Sequence, residues 1–156
     1  MTEDEQALAR YGEALVRAIE LALGDWVDAC VRDTLADQGR SIDDETIALI
    51  AAARDEALRT VSAELRAALS LDVDEQRQNP LSILRAAVRY PTRVLRSVGA
   101  QPMERDEFDR KSFPADEFAL TPAAFSDFGP AVHEAGIMWG AAKAHVHLQR
   151  RRAQEQ

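Results

Sequence analysis

The chain has 156 residues, 19 Lys+Arg against 27 Asp+Glu, a formal charge of -8, one cysteine and three histidines. That length suits a single domain with one core, and the acidic balance argues against a protein whose main task is to hold a nucleic-acid backbone. One cysteine excludes an internal disulfide framework, no apolar run approaches the ~20 residues of a bilayer span, and the opening MTEDEQ is too acidic for a signal peptide. A soluble, cytoplasmic domain is expected.

Glycine (7) and proline (6) are sparse, and Ala, Leu, Arg and Glu dominate. These residues lose little side-chain entropy in a helix, and no alternating Val/Ile/Thr run reads as a strand. The expected fold is all-α: a helical bundle built on a long antiparallel hairpin, with an irregular Phe-rich strap before the last helix. The first helix opens near Thr2 or Glu3, where Glu3, Asp4 and Glu5 face its positive end. Its apolar stripe is Leu8, Leu15, Ile19, Ala22, Trp26, Ala29 and Cys30. The phase continues through Gly24-Asp25, so one helix is expected to about Asp37. Gly39 stops it. Ser41 and the acids Asp43, Asp44 and Glu45 open a second helix, with a stripe of Ile47, Ile50, Ala51, Leu58, Val61, Leu65, Ala68 and Leu69, ending around Leu71.

Residues 72–78 read as a solvated linker. Asn79-Pro80 is a helix start, Asn as cap and Pro in the first turn, followed by Leu81, Leu84, Val88, Val94, Leu95 and Val98. Pro91 is expected to kink or restart that helix at Tyr90, and Gly99 to end it. From 99 to 130 the helical pattern fades. All five phenylalanines lie there, Phe108, Phe113, Phe118, Phe125 and Phe128, and aromatics at that density argue for an ordered strap anchored by its rings, with a short helix after Thr121-Pro122. The last helix, 131–152, carries Gly136, Gly140, Ala144 and Leu148 four apart, flanked by Ile137, Trp139 and Ala141. That low-bulk stripe suits close approach of another helix, which would put this helix at the centre of the bundle.

All three histidines, His133, His145 and His147, lie on the last helix. His145 and His147 point about 160° apart, so one regular helix cannot aim both at one ion. No Glu-x-x-His pair, Gly-rich phosphate loop, GxSxG or CxxC occurs. Cys30, beside Trp26, reads as packing. No catalytic residue, metal ligand or cofactor is assigned.

Charge carries more information. Residues 1–78 hold 18 acids and 8 bases, whereas 79–98 hold four arginines and no acid. Arg85, Arg89 and Arg96 fall within about 40° on a helical wheel, with Arg93 about 80° further on. They either pair with the acidic hairpin or form a site for phosphate or carboxylate, which guanidinium forks match. The arginines at 150–152 suit a helix C-terminus.

The words NPLSILRAAVRYPTRVLRSVG, DEFALTPAAFSDF and WGAAKAHVHLQRR, spanning Asn79 to Arg151, resemble a family of small uncharacterised proteins from high-GC actinobacteria. The resemblance implies a cytoplasmic protein and carries over no catalytic residue. The leading expectation is a non-enzymatic interaction protein. A helix of about 35 residues spans some 50 Å, longer than a chain of this size covers comfortably, so a homodimer through the first helix is expected. The competing expectation is a binder of, or enzyme on, an anionic small molecule, its site between last helix and strap. Candidate ligand- or partner-binding residues are Arg85, Arg89, Arg93, Arg96, Trp139, Lys143, His145 and His147. A nucleic-acid regulator would have to use 81–98 and lacks helix-turn-helix chemistry.

Overall fold

A computed structural model describes residues 2–70 and 79–155; the expected linker at 72–78 lies outside them. Among the described residues every regular element is helical: α1 (Glu3–Asp37), α2 (Asp44–Leu69), α3 (Pro80–Ala86), α4 (Arg89–Ser97), α5 (Glu107–Ser112), a 3-10 turn (Phe125–Phe128) and α6 (Pro130–Glu155). Among the described residues no helix is long and apolar enough to cross a membrane.

The start of α1 is a capping box. Thr2 Oγ1 accepts from the Glu5 amide at 3.2 Å while the Glu5 carboxylate accepts from the Thr2 amide at 3.1 Å, so two orphan donors are satisfied reciprocally. The helix runs unbroken through Gly24 for 35 residues. Gly39 then adopts φ 68°, the left-handed geometry that ends a helix without a Cβ clash. Asp43 caps α2 by accepting from the amide and hydroxyl of Thr46.

The core is organised around α1, which α2, α4 and α6 all contact. Leu15, Ile19, Leu23, Val27, Val31 and Leu35 are fully buried along it. The α1–α2 hairpin is antiparallel: Arg66 of α2 reaches Glu13 and Glu20, while Arg54 reaches Asp25. Helix α6 also lies antiparallel to α1, with Phe128 just before it stacked 5.0 Å from Trp26 and Arg150 at its far end on Glu5.

This arrangement corrects several expectations. The last helix is not central: of its 26 residues only Val132, Gly136 and Val146 are buried, because it packs on one side of α1. It also continues past Arg152, to Glu155. Helix α1 is contacted by α2, α4 and α6 within the chain. Its length leaves no overhang at the start, because the end of α6 reaches Asp4 and Glu5. The buried stripe of α2 keeps Ile50, Val61, Leu65 and Ala68 of the expected one, with Leu69 half-buried, but Thr46, Ala53 and Ala57 face inward in place of Ile47, Ala51 and Leu58, which are exposed.

The break in the basic helix comes at Ala87-Val88, one turn before Pro91. Pro91 sits within the first turn of α4, where its missing N–H would have had no intrahelical acceptor. The strap is more structured than expected and less uniformly anchored. Phe118 and Phe128 are buried and Phe125 packs on the core, but Phe108, on the unforeseen α5, and Phe113 are exposed. The element after Thr121-Pro122 is the 3-10 turn, with the Asp127 carboxylate accepting from the amides of Ala123 and Ala124.

Candidate functional site

The four arginines between Asn79 and Val98 do not share one open surface. Arg85 donates to the carbonyls of Pro122 (3.2 Å) and Ala123 (3.0 Å), fastening α3 to the strap. Arg89 donates to Glu64 of α2 at 3.1 Å and to the Tyr90 hydroxyl at 2.9 Å, with its guanidinium 4.6 Å from the Tyr90 ring centroid. Arg93 reaches Glu56 of α2 at 3.1 Å. Arg96 forms a forked pair with Glu117 of the strap, which holds that carboxyl below its ordinary value. The arginine block therefore matches the acidic surplus of α2 and the carbonyls of the strap. Every donor direction used this way is one that an incoming phosphate would have to recapture.

The α6 candidates form a second group, distant in sequence and bonded to different partners. Trp139 is half-buried against α1: a Cβ placed on Gly12 would stand 3.7 Å from its ring. Lys143 lies 5.2 Å over the same ring, a cation–π contact. His145 is 60 % exposed, with Nε2 3.6 Å from Asp4 and 3.3 Å from Gln149. His147 is half-buried one residue beyond Val146. Among the described residues, no group of three or more His, Cys, Asp or Glu side chains is placed to hold a metal ion.

The stripe of small residues on α6 divides into two functions. Gly136 receives the Phe125 ring so closely that a Cβ there would stand 2.4 Å from Cδ2. The intimate approach is therefore made by a strap phenylalanine rather than by a helix. Gly140 has nothing among the described residues within 4 Å of its Cβ direction.

Two features escaped the sequence. Asp116 is buried, and its carboxylate accepts from the amides of Leu120 (2.7 Å) and Thr121 (2.8 Å) and the Thr121 hydroxyl (2.6 Å). It thereby holds Ala119 at φ 57°, a conformation rare for a residue with a Cβ. An Asp with Thr-Pro five and six residues on is the signal that could have marked this turn. The second is a polar cleft of about 210 Å³ between the α1–α2 turn and the end of α4, lined by Arg40, Asp43, Glu45, Thr46 and Ser97 among others. It is smaller than the ~300–1,000 Å³ of typical ligand pockets, and none of the candidate residues lines it.

Cys30 stays a packing residue. Burial, followed by the fields of Asp33 and Asp116, pushes its thiol up to about 12, so the thiolate is not populated near neutral pH.

No protein-family model matches the chain, and neither curated proteins nor solved structures include a detectable relative.

Proposed function

We propose that the chain is a non-enzymatic helical interaction module that works as a homodimer in the cytoplasm. The observation that carries this reading is the double character of α6. Its inner face packs on α1, while its outer face presents Ile137 and Leu148, 56 % and 50 % exposed, with the exposed Ala141 and Ala144 between them. Single exposed apolar residues are ordinary, but several on one helix face mark a surface that gains by being covered. The cationic side chains that an anionic ligand would require are instead bonded to α2 and to the strap.

Light scattering over roughly 1–300 µM tests the proposal. A mass rising from 17.3 kDa toward twice that value supports it. A monomer throughout contradicts it, and a thermal shift with phosphorylated metabolites that Arg89→Ala abolishes would favour an anion-binding role instead.

A further inference from the structure

We propose that the homodimer forms by antiparallel pairing of the outer faces of two α6 helices, about a two-fold axis level with Ala142 and Lys143. This rests on the homodimer reading above and specifies its surface and register. Taking Ile137 as the centre of the outer face, Ala141, Ala144 and Leu148 lie within about 40° of it, and all four are exposed. An axis at Ala142-Lys143 sets Ile137 against the second copy's Leu148, and Ala141 against the second copy's Ala144. Each bulky residue is then opposed by a bulky one at the ends, and the small pair in the middle lets the backbones approach.

Charge fixes the register independently of the apolar pattern. Glu134 and Arg152 both lie about 60° to the same side of the stripe. Each is nine residues, about 13 Å, from Lys143 in opposite directions along the helix. Helices related by such a two-fold present the same flank to each other, so Glu134 meets the second copy's Arg152 and the converse pair forms at the other end. Both side chains are exposed, and neither has an ion-pair partner among the described residues. The end of α6 points the same way. Residues Arg151–Glu155 are exposed on every side yet remain helical, beyond the reach of α1. In the pair, that unsupported turn lies against the start of the second copy's α6.

One helix face of this length covers less than the ~800 Å² per partner of a stable complex, so micromolar association is expected. Sedimentation equilibrium on the full chain supplies the test. Ala141→Asp, on the exposed centre of the stripe, should give a monomer with unchanged helicity. Glu134→Arg alone and Arg152→Glu alone should each raise the dimer Kd about tenfold, because two attractive pairs become repulsive. Mixing those two variants restores both pairs and should return the wild-type Kd, as should the double variant Glu134→Arg/Arg152→Glu. A wild-type dimer that Ala141→Asp leaves intact, or charge variants that the mixture does not rescue, would overturn the α6 pairing while leaving a homodimer standing. A monomeric wild type would overturn both.

Discussion

Gly136 and Gly140 stand one turn apart on α6, and the same substitution should have opposite effects at the two positions. Replacing a helix-interior glycine by alanine ordinarily stabilises by about 0.5–1 kcal/mol, because the unfolded chain loses freedom and the helix gains a better former. At Gly140 a Cβ meets nothing among the described residues within 4 Å, so Gly140→Ala should show that full gain. At Gly136 a Cβ would stand 2.4 Å from Phe125 Cδ2, 2.9 Å from Cγ and 3.0 Å from Cε2. The ring or the strap must move, and such overpacking costs about 1–3 kcal/mol. Gly136→Ala should therefore destabilise by a net of about 1–2 kcal/mol. With a urea m-value near 2 kcal/mol/M, the midpoint falls by about 0.5–1 M. Urea unfolding followed by circular dichroism at a few micromolar protein measures both variants. In a Phe125→Ala background the penalty should vanish, giving a coupling of at least about 1 kcal/mol. If Gly136→Ala stabilised as much as Gly140→Ala, or its penalty survived removal of Phe125, the Phe125 ring could not be what seats the strap on α6.

Other outcomes follow from single sites. Thr92 is 3 % exposed and its hydroxyl has no hydrogen-bond partner among the described residues, so Thr92→Val should raise stability by about 1 kcal/mol; a loss of that size would mean the hydroxyl is satisfied. Asp116→Ala strands three donors in the strap and should cost about 2–3 kcal/mol in the same unfolding assay, with a neutral result contradicting the turn assignment. The Cys30 thiol should resist iodoacetamide at pH 8 in buffer and react promptly in urea; rapid labelling of the native protein would contradict its burial. Acid should weaken the fold in a defined direction. Arg66 holds Glu13 and Arg96 holds Glu117 below the ordinary 4.5, and the Thr46 hydroxyl and amide hold Asp43 below 3.8. Carboxyls lowered in the folded state contribute fully above their ordinary values and lose that contribution as pH falls through the lowered ones. The melting temperature should thus be flat from pH 8 to 5 and decline below about 4.5, less steeply in Glu117→Gln; a rise toward pH 3 would contradict the pairing.

Helix content, the unbroken α1, the stop at Gly39 and the Asn79-Pro80 start were all legible, because each depends on local chemistry that a few neighbouring residues settle. What escaped depends on which faces meet. Along α1 the stripe through Leu15, Ile19 and Trp26 is readable at helical spacing. The second stripe through Val16, Leu23, Val27 and Val31 is buried only because α1 touches three helices, and periodicity on one helix does not count its neighbours. The α2 stripe was read in part: Ile50, Val61, Leu65 and Ala68 are buried as expected, but Ala53 and Ala57 are buried and Leu58 is not, so side-chain size misled where close helix packing wanted alanine.

The arginine block was visible as composition, and both of its readings were open. Its resolution lay in residues far away in sequence, Glu56, Glu64 and Glu117, whose proximity only the fold supplies. The apolar outer face of α6 was hidden by the opposite effect. Ile137 and Ala141 were visible as flanks of a glycine stripe, but which flank faces α1 is decided by Trp139 and Val146, both turned inward.

Amide hydrogen exchange read by mass spectrometry, on dilute and concentrated samples of the full chain, tests the role of the outer α6 face most directly. Pairing predicts that protection rises with concentration across residues 133–152, while exchange in α1, α2 and the strap stays unchanged. Concentration-independent exchange throughout, or new protection confined to the Phe108–Phe113 segment of the strap, would contradict it.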